Sequence, residues 1–174
     1  MNVEEMTLRK WPDPVLMKRA AEVTTFDEDL AVRVERMWDV MYESNGIGLA
    51  APQVGWSVQV LVLNPTSDRE KTDEARVIIN PRVVKRWGKE TAQEGCLSFP
   101  EIFVDVLRPR GVRLAWQDET GAQHEEDLND LPARIAQHEF DHLEGVLLAH
   151  RMSPVDKIRY RRELESLAAE HADA

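Results

Sequence analysis

The spacing of apolar residues changes twice along this chain, and that change limits the folds open to it. Leu30, Val34, Met37 and Met41 recur at helical spacing, which predicts an amphipathic helix from near Thr25 or Asp27 to about Ser44, with Gly46 helping to end it. After Gly55 the period drops to two: Val58, Val60 and Val62 face one side of a strand, Leu61 and Leu63 the other. Further strands are expected at Arg76 to Asn80, Arg82 to Trp87, Val104 to Leu107, Val112 to Gln117 and Gln123 to Asp127. Asp118 to Gly121 supplies the hairpin between the last two. Helical spacing returns near Leu131, with Asn129 or Asp130 as N-cap and Gly145 as the stop. Ser153-Pro154-Val155-Asp156 signals one more helix start. Ahead of all these, Leu8 to Pro14 reads as an extended arm, because its prolines forbid a helix interior. Strands gathered between helices predict an α+β fold, with mainly antiparallel or mixed strands packed around a central helix and further helices toward both ends.

A chain of 174 residues fits one domain over 1–174, with a polar tail from about residue 168 expected to be disordered. The net charge of −10 argues against a general nucleic-acid or anionic-membrane binder, and no apolar run is long enough to span a membrane. The acidic opening Met1-Asn2-Val3-Glu4-Glu5 lacks the apolar core of a signal peptide. A single cysteine, Cys96, excludes an internal disulfide and suits the reducing cytoplasm.

His138-Glu139-Phe140-Asp141-His142 carries the chemistry. Residues four apart share a helix face, so both imidazoles can meet one metal ion, and Glu139 beside them can take a proton from water. Leu131 and Ile135 continue the same face and supply apolar surroundings. Two histidines leave a catalytic ion short of a third protein ligand. Glu144 and His150 lie downstream without the expected spacing, whereas Cys96 sits in Gln93-Glu94-Gly95-Cys96-Leu97-Ser98-Phe99-Pro100. A lone cysteine is more often a small buried hydrophobe, but Gly95 and Pro100 shape a turn around this one and Glu94 could support a ligand. On the residues alone the third ligand stays open. Gly46-Ile47-Gly48-Leu49-Ala50-Ala51-Pro52-Gln53 superficially fits a dinucleotide fingerprint, yet it follows a helix and soon meets Pro52, which excludes that reading. It reads instead as a loop joining helix to strand, or as a cleft wall with Gln53 as a side-chain donor.

These three segments, in this order, resemble the three signatures of the peptide deformylase family. Weaker echoes at Pro12-Asp13-Pro14, Ile79-Asn80-Pro81 and Arg108-Pro109 extend the resemblance over most of residues 8–155, and the helix after Ser153 is similar to the C-terminal helix of the bacterial type. The resemblance implies a metal-dependent amidase that removes formyl from N-formylmethionine on new chains. It implies Cys96, His138 and His142 as ligands of one divalent ion, Fe2+ in preference to Zn2+, Ni2+ or Co2+. It implies Glu139 as the proton carrier, Gln53 and the Leu97 backbone N–H as donors to the formyl oxygen, and Glu94 and Arg108 standing behind the ligands. Gly46, Ile47 and Gly48 would line the substrate cleft with Leu131 and Ile135, although Ile47, Leu131 and Ile135 could equally be plain core. Many members carry Gly or a basic residue within the stretch matching Glu101-Ile102-Phe103, so the rim is expected to differ here. Arg151, Lys157, Arg159, Arg161 and Arg162 form a local basic run on an acidic protein; the resemblance implies ribosome docking there, and a solvated helix face is the plainer account. Two rivals stay open: a zinc endopeptidase with a third ligand other than Cys96, and a non-catalytic binder of nascent N-termini, which would need neither Glu139 nor Gln53.

Overall fold

The computed structural model describes residues 2–172, so Met1 of the acidic opening and the last two residues of the expected tail lie outside it. Helix α1, Glu28–Glu43, starts where Asp27 accepts a hydrogen bond from the Leu30 N–H at 3.0 Å. The stripe of Leu30, Val34, Met37, Val40 and Met41 is buried. The left-handed residue past its end is Asn45 (φ 54°) rather than Gly46, an exchange open to asparagine because its short polar side chain tolerates that region.

Seven strands follow: β1 Gly48–Ala50, β2 Val60–Leu63, β3 Arg76–Trp87, β4 Glu90–Cys96, β5 Phe99–Arg108, β6 Gly111–Gln117 and β7 Gln123–Asn129. Five form an antiparallel sheet in the order β1-β2-β3-β6-β7, and β4 and β5 form a separate two-stranded ribbon. Several boundaries differ from the sequence reading. The glycine segment read as a loop holds β1, after which Ala51–Val54 makes a 3₁₀ turn. The two segments flanking Pro81 are one strand, β3, because Asn80 at φ 50° absorbs the irregularity where its register with β6 shifts. Strand β4 escaped notice because its inward residue is Glu94, a charge that pattern reading assigns to solvent.

Helix α2, Asp130–Leu143, packs its apolar residues Ala133, Ile135, Ala136 and Leu143 against Leu61, Leu63, Ile78 and Leu114 of the sheet. The opposite sheet face, Val60, Val62 and Ile79, receives α1. The alternation of β2 thus feeds two cores, each fully buried side chain being worth about 1.5–3 kcal/mol. On its other side α2 meets the β4–β5 ribbon. Beneath that ribbon, Phe99, Ile102, Val104 and Val106 pack with Leu147, Leu148, Met152 and Leu167 from the C-terminal region. That region is three helices, α3 Leu148–Arg151, α4 Pro154–Arg159 and α5 Arg161–Ala172. Ser153 and Asp156 form the expected capping pair for α4. Helix α5 continues to Ala172 and buries Leu167, so the residues from 168 to 172 are helical where a disordered tail was expected.

Candidate metal centre and cleft

Helix α2 is held between sheet and ribbon, and this places its polar residues against β4. Cys96, at the end of β4, and His138 and His142 on α2 offer a sulfur and two ring nitrogens within 4.8 Å of one another. Cys96 Sγ is 3.3 Å from His142 Nε2, and the two imidazoles meet edge to face at 5.2 Å. The β4–β5 ladder slips between Gly95, opposite Phe103, and Cys96, opposite Phe99; such an irregularity re-aims a side chain. Gly95 lets the Phe103 ring lie over it: a Cβ there would fall 2.7 Å from that half-exposed ring, which would have to swing aside.

The surroundings settle which atoms can bind an ion. His138 Nδ1 faces Glu94 Oε1 at 2.9 Å, which fixes the tautomer and leaves Nε2 for the ion. A soft thiolate with two imidazoles suits a divalent transition metal, and three protein donors leave a position open for chemistry. The donor set therefore fits one divalent transition-metal ion. Glu144 and His150 are engaged elsewhere: Glu144 pairs with Arg19 at 3.3 Å, and His150 Nδ1 accepts the Leu147 N–H at 2.9 Å.

Glu94 is the hub behind the ligands. Arg108 donates to it through Nε at 2.6 Å and Nη2 at 2.9 Å, and Arg134 through Nη1 at 2.7 Å. Burial alone would raise its carboxyl, but the hydrogen bonds from His138 and Arg108 bring it down to about 2. Arg108 also donates to Asp141 at 2.9 Å, and Arg151 pairs with the same carboxylate at 2.7 Å. Sequence reasoning found Glu94 and Arg108 but missed Arg134 and Asp141. The available signal was that Arg134 lies one helical turn before His138 on the same face.

Glu139 is only 4% exposed and burial pushes its carboxyl up to about 7. Burial disfavours charge on both imidazoles. The Cys96 and Glu94 hydrogen bonds nevertheless hold His138 well above its ordinary value, while His142, with His138 and Arg108 adding to burial, falls well below. Gly48 lets β1 approach this carboxylate, for a Cβ would fall 2.6 Å from Glu139 Oε1. Gln53 Oε1 accepts the Ala50 N–H at 2.9 Å, which turns its amide nitrogen toward Ser98 Oγ at 3.2 Å and Cys96 Sγ at 3.7 Å.

A cleft of about 510 Å³ opens onto Cys96, His138 and Glu139, with His142 behind them. Gly46, Ile47, Gly48, Gln53, Leu97, Leu131 and Ile135 all line it. Leu131 is 45% exposed at the mouth, whereas Ile135, 3% exposed, belongs to cleft and core together. At the rim Glu101 adopts φ 62°, Ile102 is buried, and half-exposed Phe103 covers Gly95.

Comparison with known proteins agrees with this geometry. The family model described as polypeptide deformylase matches residues 6–158. The chain is 44% identical over 165 residues to peptide deformylase 1B, chloroplastic/mitochondrial, of Arabidopsis thaliana, covering 94% of this chain and 60% of that protein. It is 43% identical to the peptide deformylase of Thermotoga maritima, covering 92% of this chain and 95% of that one. A crystal structure of peptide deformylase from Plasmodium falciparum superposes with a TM-score of 0.93 at 42% identity, covering 97% and 98% of the two chains. The chain spans between half and two thirds of the plant proteins' length and nearly all of the bacterial one. By matched length, identity and fold, the chain belongs to the peptide deformylase family.

Proposed function

We propose that this protein removes the formyl group from the N-terminal formyl-methionine of newly made polypeptides, releasing formate. The observation that carries the reading is the meeting of Cys96, His138 and His142 beside a buried, unpaired carboxylate at the floor of an open cleft. Cys96 Sγ, His138 Nε2 and His142 Nε2 would hold one divalent ion, and we assign Fe2+, with Zn2+, Ni2+ or Co2+ able to replace it. Such an ion supplies Lewis acidity, lowering the pKa of water and polarising a carbonyl.

The chain's own groups do the rest. Glu139, lifted toward neutrality by burial, accepts a proton from the water that adds to the formyl carbon. As negative charge grows on the formyl oxygen, the Gln53 amide and the Leu97 N–H donate to it. Glu139 then passes the proton to the departing amine nitrogen, the C–N bond breaks, and formate and a free N-terminus result. The methionine side chain lies along Ile47, Leu131 and Ile135. An endopeptidase reading loses ground because Glu144 and His150 are engaged elsewhere. A binder of N-termini would have no use for a buried carboxylate without a partner.

The reading extends to the C-terminal helices. Arg151 is committed to Asp141 and Arg161 to Glu165, which leaves Lys157, Arg159 and Arg162 without ion pairs among the described residues. Beside them Val155 and Ile158 are exposed. This face suits ribosomal RNA or protein, in the cytoplasm where formylated chains emerge. Among the described residues no helix is long and apolar enough to cross a membrane. The deciding assay is formate release from formyl-Met-Ala-Ser against acetyl-Met-Ala-Ser. Formate from the first and no acetate from the second is the expected result; no formate from metal-loaded protein would overturn the assignment.

A further inference from the structure

Arg134 lies outside the ligand set and outside the proton relay just described, yet it is buried and committed. Its Nη1 donates to Glu94 Oε2 at 2.7 Å and to the Val106 carbonyl at 2.9 Å, and its Nη2 donates to the Glu90 carbonyl at 2.8 Å. One side chain of α2 thereby ties both ribbon strands, β4 through Glu90 and Glu94 and β5 through Val106. One turn later the same helix offers His138, whose Nδ1 bonds the other oxygen of the same carboxylate at 2.9 Å. Arg108 grips Glu94 from β5, using both oxygens.

From this arrangement we infer that Arg134 is a positioning residue that fixes how Glu94 presents Oε1 to His138, and so sets how firmly the centre holds its metal. The inference rests on the metal reading above. The Arg108 fork alone leaves the carboxylate free to rock about the axis of that fork, because both contacts come from one planar group. Arg134 supplies a second anchor on Oε2 from a different element, and the carbonyls it also bonds prevent it from following the carboxylate. An imidazole whose supporting carboxylate is loose loses orientation as a ligand, and removal of such supports typically costs about 10–100-fold in metal affinity.

The test uses the full-length protein loaded with Co(II), in parent, Arg134→Met and Arg134→Lys forms. Three quantities are followed: the rate of Co(II) loss to a chelator, the visible bands of the bound ion, and the melting temperature of the metal-free protein. Arg134→Met should release Co(II) about 10–100-fold faster, with shifted bands, and Arg134→Lys should fall between, since lysine can reach Glu94 but cannot span Glu90 and Val106 as well. A purely structural arginine would lower both melting temperatures while leaving the bands unmoved and Co(II) loss within about twofold of the parent at temperatures well below melting; that result overturns the inference. If Arg134→Met does not fold, Arg134→Lys decides alone: loss at least about threefold faster with shifted bands supports the role, and a parent-like rate and spectrum refute it. A parent protein that fails to bind one Co(II) per chain would overturn the metal reading together with this one.

Discussion

Replacing Gly48 by alanine tests the tightest fit in the site. Its backbone is outside the left-handed region, so alanine meets no conformational objection; the whole effect comes from contact. The added Cβ would lie 2.6 Å from Glu139 Oε1, 2.6 Å from Ile135 Cγ2 and 3.0 Å from Glu139 Cγ. Ordinary carbon contacts begin near 3.5 Å, so something must retreat by roughly 1 Å. Ile135 is packed among Ala50, Leu61 and Ile78 and has little room, whereas Glu139 Oε2 has no hydrogen bond to hold it. The carboxylate should therefore move, and the backbone of β1 must also draw back from Ile135. Overpacking of this kind costs about 1–3 kcal/mol, which for a chain of this length lowers the melting temperature by about 2–12 °C. A catalytic group displaced by about 1 Å typically costs about 10²-fold in turnover. With formyl-Met-Ala-Ser as substrate and formate as readout, kcat should fall by about that factor while KM changes less, because the role proposed for the displaced carboxylate is in proton transfer and the peptide is held mainly by the rest of the cleft. A variant with parent kcat and a melting temperature within about 1 °C of the parent would refute the contact, and a destabilised variant with parent kcat would refute the role given to Glu139.

Glu139→Ala should keep its metal and lose about 10²–10⁴-fold in kcat; more than about a tenth of parent activity would remove Glu139 from the proton-carrying role. Affinity order alone favours zinc over ferrous iron at such a site, so stripping the metal anaerobically and reloading Fe(II), Ni(II) or Zn(II) is decisive. Fe(II) protein should be active and decay in air as iron and the Cys96 thiolate oxidise, Ni(II) protein should be stable, and a zinc form that is best and indifferent to air would contradict the iron assignment. Lys157→Glu with Arg162→Glu should weaken co-sedimentation with ribosomes at low salt while sparing small-peptide turnover, and unchanged co-sedimentation would leave that face without a role. Point charges are preferable to truncation there, because α5 buries Leu167 and Tyr160 donates to the Phe103 carbonyl at 2.7 Å.

What the sequence made legible follows the physics of pattern. Helix α1 and strand β2 were readable because apolar side chains alone decide which way they face. His138, Glu139 and His142 were readable because ligand spacing on a helix is local. The third donor of the cluster was not local: Cys96 lies 42 residues before His138, and only a resemblance joined them. Strand β4 and Arg134 were illegible for a shared reason. Glu94 and Arg134 are buried charges whose burial is supported by each other, and pattern reading gives a lone charge to solvent; Glu94 was singled out only as a neighbour of Cys96, and Arg134 was passed over. Strand β1 was missed because three residues carry too little alternation to be told from a loop.

The polar bookkeeping of the interior also points to the site. Buried Asn64 donates to the Tyr42 hydroxyl and the Asp68 and Lys71 carbonyls, Gln137 donates to the Pro109 and Ala133 carbonyls, and the Glu94 carboxylate accepts from three side chains. Among the described residues, Glu139 Oε2 and His142 Nδ1 are the buried side-chain atoms with no hydrogen-bond partner in the protein. A buried polar atom left without any partner typically costs about 1–3 kcal/mol, so these two, on adjoining turns of one helix, are where a partner from outside the chain is called for. Both atoms lie where α2 faces the cleft, on the carboxylate assigned to move protons and on the histidine lying behind it. His138 is held by Glu94, while His142 has no such support, so the two imidazoles are not equivalent. The core on the sheet side of α2 and the Arg134 bonds to Glu94, Glu90 and Val106 on its ribbon side fix the helix, and this holds Glu139 and His142 in place although no other protein group bonds these two atoms.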